Sequence, residues 1–210
     1  MKRVTAPTTY EEKIEVLFDS TSRKFFEVRS SLTLLMEEAR VNFKNQPQSI
    51  WSGAMCVMAG IDLVAKFYCD KDTGRVEDRF TMYLEKIMHL STTDAQLIYH
   101  ARNSLMHSFG LYSKGKSKAF FTHPRYEKEK WPPVIRIKKQ DGLAEHFELG
   151  IESLFVRFEN SLKELKIDLL ENRRDNFSEL FDKYGTDKPL FEGSNFYDYC
   201  NIHGLSKVRL

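Results

Sequence analysis

Apolar residues recur along this chain mostly at helical spacing. Ile14, Phe18, Thr21, Phe25, Val28, Leu32, Leu35 and Ala39 alternate steps of four and three, which predicts one long helix from about Tyr10 to Phe43. Its near-heptad seam is either an exposed dimerisation surface or a stripe packed inside its own domain. Ile50 to Tyr68 is apolar nearly all round, so it should be the central helix of a bundle. On that helix Gly53 and Gly60 share a face that would admit a close neighbour, such as the helix bearing Arg102. Asp70 to Gly74 reads as a turn, and Val76 to Leu90 as a helix with Phe80, Tyr83, Leu84 and Ile87 inward. Gly142 opens a last long helix to about Glu171, with Ile151, Leu154, Phe158, Leu162, Leu165 and Leu169 inward.

The period changes between Tyr112 and Lys139. Ala119 to Thr122 and Val134 to Ile137 are β-type runs separated by a proline-bearing stretch, which predicts a β-hairpin near residues 118–138 inserted between helices. The expected fold is therefore mainly all-α: about five long helices with one inserted hairpin at about 112–140, in a domain over 1–171. Residues 172–210 form a tail containing Phe191, Phe196, Tyr197 and Tyr199, and such an aromatic tail should pack on the bundle or on a partner.

The helix from Leu97 to Tyr112 carries the most chemistry. Thr93 to Gln96 reads as a capping box at its start, and Gly110 as its terminator. Leu97, Ala101 and Leu105 form an inward stripe, and Tyr99, Asn103 and His107 a parallel one. Arg102 lies about 100° from Asn103 around the helix, so Arg102, Asn103 and His107 share one sector and can converge on one ligand. In the last turn the helix dipole favours a protonated His107, which suits a general acid. Asp62, an acid in an otherwise apolar helix, needs a partner. That partner is either Lys66 at i+4, or Arg102 or His107, whose orientation it would fix.

Arg102-Asn103-Ser104-Leu105-Met106-His107 resembles the Arg-x(4 to 6)-His motif of HEPN-domain proteins, and Tyr99 with Ser108 to Leu111 resembles the flanks of that motif in many members. The resemblance implies an all-α bundle, often a homodimer, with Arg102 and His107 in metal-independent RNA cleavage at a cleft between protomers. Asn103 would orient the pair, with Asp62 and Tyr99 in support. Many members are toxins or antiviral effectors, so an antitoxin or regulatory protein is a further expected partner. The alternative is a non-catalytic HEPN-like module that binds nucleic acid or protein.

Charge strengthens the RNA expectation. The 210 residues carry 32 Lys and Arg against 30 Asp and Glu, a net charge of +2. Residues 112–139 alone hold nine bases and two acids, a local +7 that leaves the remainder at −5. Lys114, Lys116, Lys118 and Arg125, interleaved with Tyr112, Tyr126 and Trp131, would hold a phosphate backbone and stacked bases. A solvated, solubilising loop is the plainer reading of the same residues.

Other chemistries find less support. Gly110 to Ser117 satisfies the written phosphate-loop pattern G-x-x-x-x-G-K-[ST], but a helix precedes it and a strand-like run follows, the reverse of what aims backbone donors at phosphate. The six histidines include no H-E-x-x-H or i,i+4 pair, so no metal site is expected, and no cofactor. Cys56, Cys69 and Cys200 are odd in number without a C-x-x-C pair, which fits a reducing cytoplasm. No signal peptide is read at the N-terminus, and the apolar stretch Ala54 to Ala65 is short and holds Asp62, so no membrane is expected.

Overall fold

The computed structural model describes residues 6–19, 29–44, 50–108, 112–113, 118–122, 132–137 and 145–186. They are mainly helical: α1 (Tyr10–Phe18), α2 (Ser31–Lys44), α3 (Ile50–Tyr68), α4 (Val76–Lys86), α5 (Thr92–Ser108), α6 (Ile151–Glu171) and the short α7 (Phe177–Leu180). A π-turn, Phe181–Gly185, follows α7. Four short strands lie between α5 and α6: β1 (Tyr112–Ser113), β2 (Lys118–Thr122), β3 (Val134–Ile137) and β4 (Glu145–Leu149).

Among the described residues the expected single helix from Tyr10 to Phe43 is broken: α1 ends at Phe18 and α2 begins at Ser31. Thr9 and Glu12 close a reciprocal capping box at the start of α1, and Asp19 ends it in extended conformation. Asp19 is of the kind whose side chain competes with helical backbone bonds. Ser30 joins the two helices directly. Its hydroxyl donates to the Leu17 carbonyl at 2.7 Å and accepts from the Thr33 amide at 3.3 Å, so one side chain serves an α1 end and an α2 start. Ile14, Leu32 and Ala39 of the expected seam are buried inside this chain, whereas Thr21, Phe25 and Val28 lie outside the described residues.

α3 is the centre of the core. Val57, Met58, Ile61, Val64, Ala65 and Phe67 are all buried, and α2, α4, α5, α6 and α7 pack around it. By length and composition it could cross a membrane, yet 61% of its apolar window is already covered by protein. Its glycines do not receive α5. A methyl group at Gly53 would sit 2.6 Å from the Phe43 ring of α2, and one at Gly60 would sit 2.8 Å from the Phe158 ring of α6, so each glycine seats an aromatic ring.

α4 is shorter than the pattern to Leu90 predicts: it ends at Lys86, and His89 takes a left-handed turn (φ 53°). Phe80, Tyr83, Leu84 and Ile87 are buried as expected. Burial pushes the Tyr83 phenol up from its ordinary pKa, and its hydroxyl shares a 2.8 Å hydrogen bond with Ser161 of α6.

The strands form one sheet in the order β1-β2-β4-β3, which corrects the expected hairpin. β2 and β3 form where the β-type runs stand, but they do not pair with each other. β4 lies between them, parallel to β2 and antiparallel to β3. β4 also corrects the last helix, which starts at Ile151 and not at Gly142. The stretch Glu145–Leu149 buries Phe147 and Leu149, a strand alternation of only two apolar residues, too short to stand out from the helical run that follows.

α7 and the π-turn close the bundle at the C-terminal end of α3. Phe177, Leu180 and Phe181 are buried, with the Phe177 ring 4.8 Å from Tyr10 and 5.3 Å from Phe67. Residues 187–210, including the remaining aromatics of the expected tail, lie outside the described residues.

Candidate functional site

The cap of α5 lies two residues before the expected one at Thr93. Ser91 is the cap, its hydroxyl accepting the Asp94 amide at 3.2 Å and its carbonyl the Ala95 amide at 2.9 Å. From that start the periodicity runs as read: Leu97, Ala101 and Leu105 are buried, Tyr99 and Asn103 half-buried. The inward stripe brings the adjacent sector, with Arg102, against the polar end of α3.

There Arg102 meets Asp62. Arg102 Nη2 donates to Asp62 Oδ2 at 2.8 Å, and Nη1 donates to Asn103 Oδ1 at 3.0 Å. Only 13% of the Arg102 side chain and 18% of Asp62 remain exposed, so the pair is largely withdrawn from water. Asp62 thus takes the inter-helix partner and not its i+4 neighbour Lys66. Two bonds on different nitrogens fix the plane of the guanidinium and leave a second N–H on each terminal nitrogen. Asp62 Oδ1 and Arg102 Nε, both shielded from solvent, make no hydrogen bond. Tyr99, one turn before Asn103, lays its ring 5.8 Å from Phe80, so it braces α5 against α4.

His107 lies in the last turn of α5, about 7.5 Å along the axis from Arg102. Its side chain lies outside the described residues, as do Gly110, Lys114, Lys116 and Arg125. Lys118 is the first residue of β2, paired with Ser113 and Glu145. The structure therefore unites Arg102, Asn103, Asp62 and, behind them, Tyr99.

Sequence reasoning missed the other side of this polar end. Lys66 holds its ammonium 4.5 Å from the centre of the Tyr184 ring, which comes from the π-turn. Burial pulls the Lys66 pKa below its ordinary value; Asp62 opposes the shift, Arg79 adds to it, Asp72 opposes it and Arg102 adds to it. The Tyr184 hydroxyl donates to Asp72 Oδ2 at 2.8 Å, and Lys183 binds the same carboxylate. Those two donors, Lys183 first, hold the Asp72 carboxyl below the usual carboxylate range. Arg79 of α4, 3% exposed, donates to the Thr73 and Gly74 carbonyls and so anchors the loop that carries Asp72. No local signal marks Tyr184, which stands more than a hundred residues from Lys66 in the chain. Among the described residues, no three His, Cys, Asp or Glu side chains cluster as metal ligands would. No known protein family, curated protein or solved structure matches this chain.

Proposed function

We propose that the chain is a metal-independent endoribonuclease of HEPN type, folded as a HEPN-like bundle and working as a cytoplasmic homodimer. The observation that carries this reading is the Asp62–Arg102–Asn103 contact: a guanidinium fixed in plane on the helix that bears His107, with one N–H of each terminal nitrogen left for a phosphate oxygen. In the reaction, a ribose 2′-oxygen attacks the adjacent phosphorus and the bond to the 5′-oxygen breaks. The 2′-hydroxyl loses its proton to a base and the leaving oxygen gains one from an acid. One histidine supplies one of these roles, and the second protomer's copy the other, which is the chemical reason for a dimer. Arg102 stabilises the charge that develops on the phosphate oxygens. Lys114, Lys116, Lys118 and Arg125 gather the RNA backbone, so activity falls as salt rises. An enzyme of this kind suits a toxin or antiviral effector held by an antitoxin or regulatory protein.

The second reading is a HEPN-like binding module without chemistry. It draws on the same contact, because Arg102 is mostly covered and already spends two donors within the protein.

Incubating the pure protein with mixed RNA in excess chelator separates the two. The nuclease cleaves, and His107→Ala lowers the rate by about a hundredfold or more, the usual contribution of a general acid or base. RNA that stays intact with wild type, while salt-sensitive binding persists, replaces the nuclease with the module.

A further inference from the structure

Asp62 has two cationic suitors. Lys66 stands at i+4 on α3, with the acid on the N-terminal side, the order in which such pairs form most readily. Arg102 comes from α5. At this end of the bundle the carboxylate goes to Arg102, and the Lys66 ammonium turns instead onto the face of Tyr184. The ring is held in place independently of Lys66. Its hydroxyl is tied to Asp72, its neighbour Lys183 to the same carboxylate, and Thr186 bridges to Ser30 at the start of α2. The charges acting on Lys66 are two acids, Asp62 and Asp72, and two bases, Arg79 and Arg102. Asp72 Oδ2 already accepts from Lys183 and Tyr184, whereas Asp62, four residues before Lys66 on the same helix, keeps a buried Oδ1 without a hydrogen bond, so Asp62 is the carboxylate to which Lys66 would turn.

We propose that Tyr184 is a positioning residue: by holding Lys66 over its ring it reserves the Asp62 carboxylate for Arg102, so the C-terminal turn sets the orientation of the candidate site's arginine. A ring face attracts an ammonium without offering it a proton acceptor, and in a desolvated setting that attraction competes with a single i,i+4 ion pair. Without the ring, Lys66 swings back along α3 and shares Asp62, and Arg102 loses its monopoly on the one acid that fixes its plane. The device deepens the nuclease reading only through Arg102. Its readout is the arginine itself and does not depend on whether RNA is cut.

The test is the guanidinium region of the proton–nitrogen spectrum of the full chain, with Arg102 assigned by its loss in Arg102→Lys. In wild type the two Nη groups of Arg102 give separate signals, because bonds to Asp62 and Asn103 restrict rotation. Tyr184→Leu, which keeps apolar bulk and removes the ring, merges them into one averaged signal. Tyr184→Leu/Lys66→Met separates them again, a rescue that a general loosening of the turn does not produce. Tyr184→Phe, which keeps the ring, leaves them apart. Unchanged signals in Tyr184→Leu, or merged signals that Lys66→Met does not restore, overturn the proposal. Should Tyr184→Leu fail to fold, Tyr184→Met, flexible and without a ring, gives the same reading: it merges the Arg102 signals, and adding Lys66→Met separates them again. Signals that stay apart in Tyr184→Met, or that added Lys66→Met does not restore, also overturn it.

Discussion

Arg102 and Arg40 each hold a carboxylate on another helix, at 2.8 and 2.7 Å, and their surroundings make them different interactions. Arg40, on α2, donates through Nε and Nη2 to a single oxygen of Glu159 on α6, with half of the arginine and 31% of the glutamate in water. Arg102 is shut in behind the buried stripe of α5, between its own Asn103 and the one acid of α3. Water already solvates both members of the outer pair, so their union gains little. The inner pair has given up its water, and each partner depends on the other. Equal distances do not imply equal worth; what a contact contributes depends on what the same groups would have without it.

The largest effect that tests this contrast is Asp62→Ala. It leaves the Arg102 guanidinium mostly buried without its acid, and the expected loss is about 3 kcal/mol, the low end for breaking a buried pair because some exposure remains. Urea unfolding measures it, and a loss below about 1 kcal/mol would place the two pairs in one class. Replacing both members, as Asp62→Leu/Arg102→Met, costs less than either single change, since no charge is stranded. A double variant as unstable as the sum of the singles would mean that the two residues act separately. The smallest effect is Arg40→Ala, expected to cost less than about 1 kcal/mol and to shrink further in high salt. A cost that persists in molar salt would show that Arg40 contributes through packing of its stem.

Much of the helical architecture is legible in the sequence. The inward residues of α4, α5 and α6 follow from their spacing, because a helix that packs on a core must repeat its apolar face every three or four positions, and α3 stands out as central by being apolar nearly all round. The breaks were harder. Asp19 ends α1 and Ser30 caps α2, and neither break interrupts the apolar period, so capping chemistry sets boundaries that periodicity does not show. β4 escaped notice because two buried residues, Phe147 and Leu149, are too few to establish an alternation. In the candidate site, Arg102, Asn103 and the oddity of Asp62 are all visible in the chain. The choice between Lys66 and Arg102 as partner of Asp62 is not, and nothing local to residue 184 points to Tyr184.

The sequence by itself determined the mainly helical class and the inward residues of α4, α5 and α6, because these depend on spacing within a few turns of one segment. Tertiary structure decided the order β1-β2-β4-β3, the rings that fill Gly53 and Gly60, and the sharing of charge among Asp62, Lys66, Arg102 and Tyr184. These are competitions among groups distant in the chain. Local preference favours Lys66 for Asp62, but the packed core brings a guanidinium and an aromatic ring to the same end of α3, and their joint geometry outweighs the nearer neighbour.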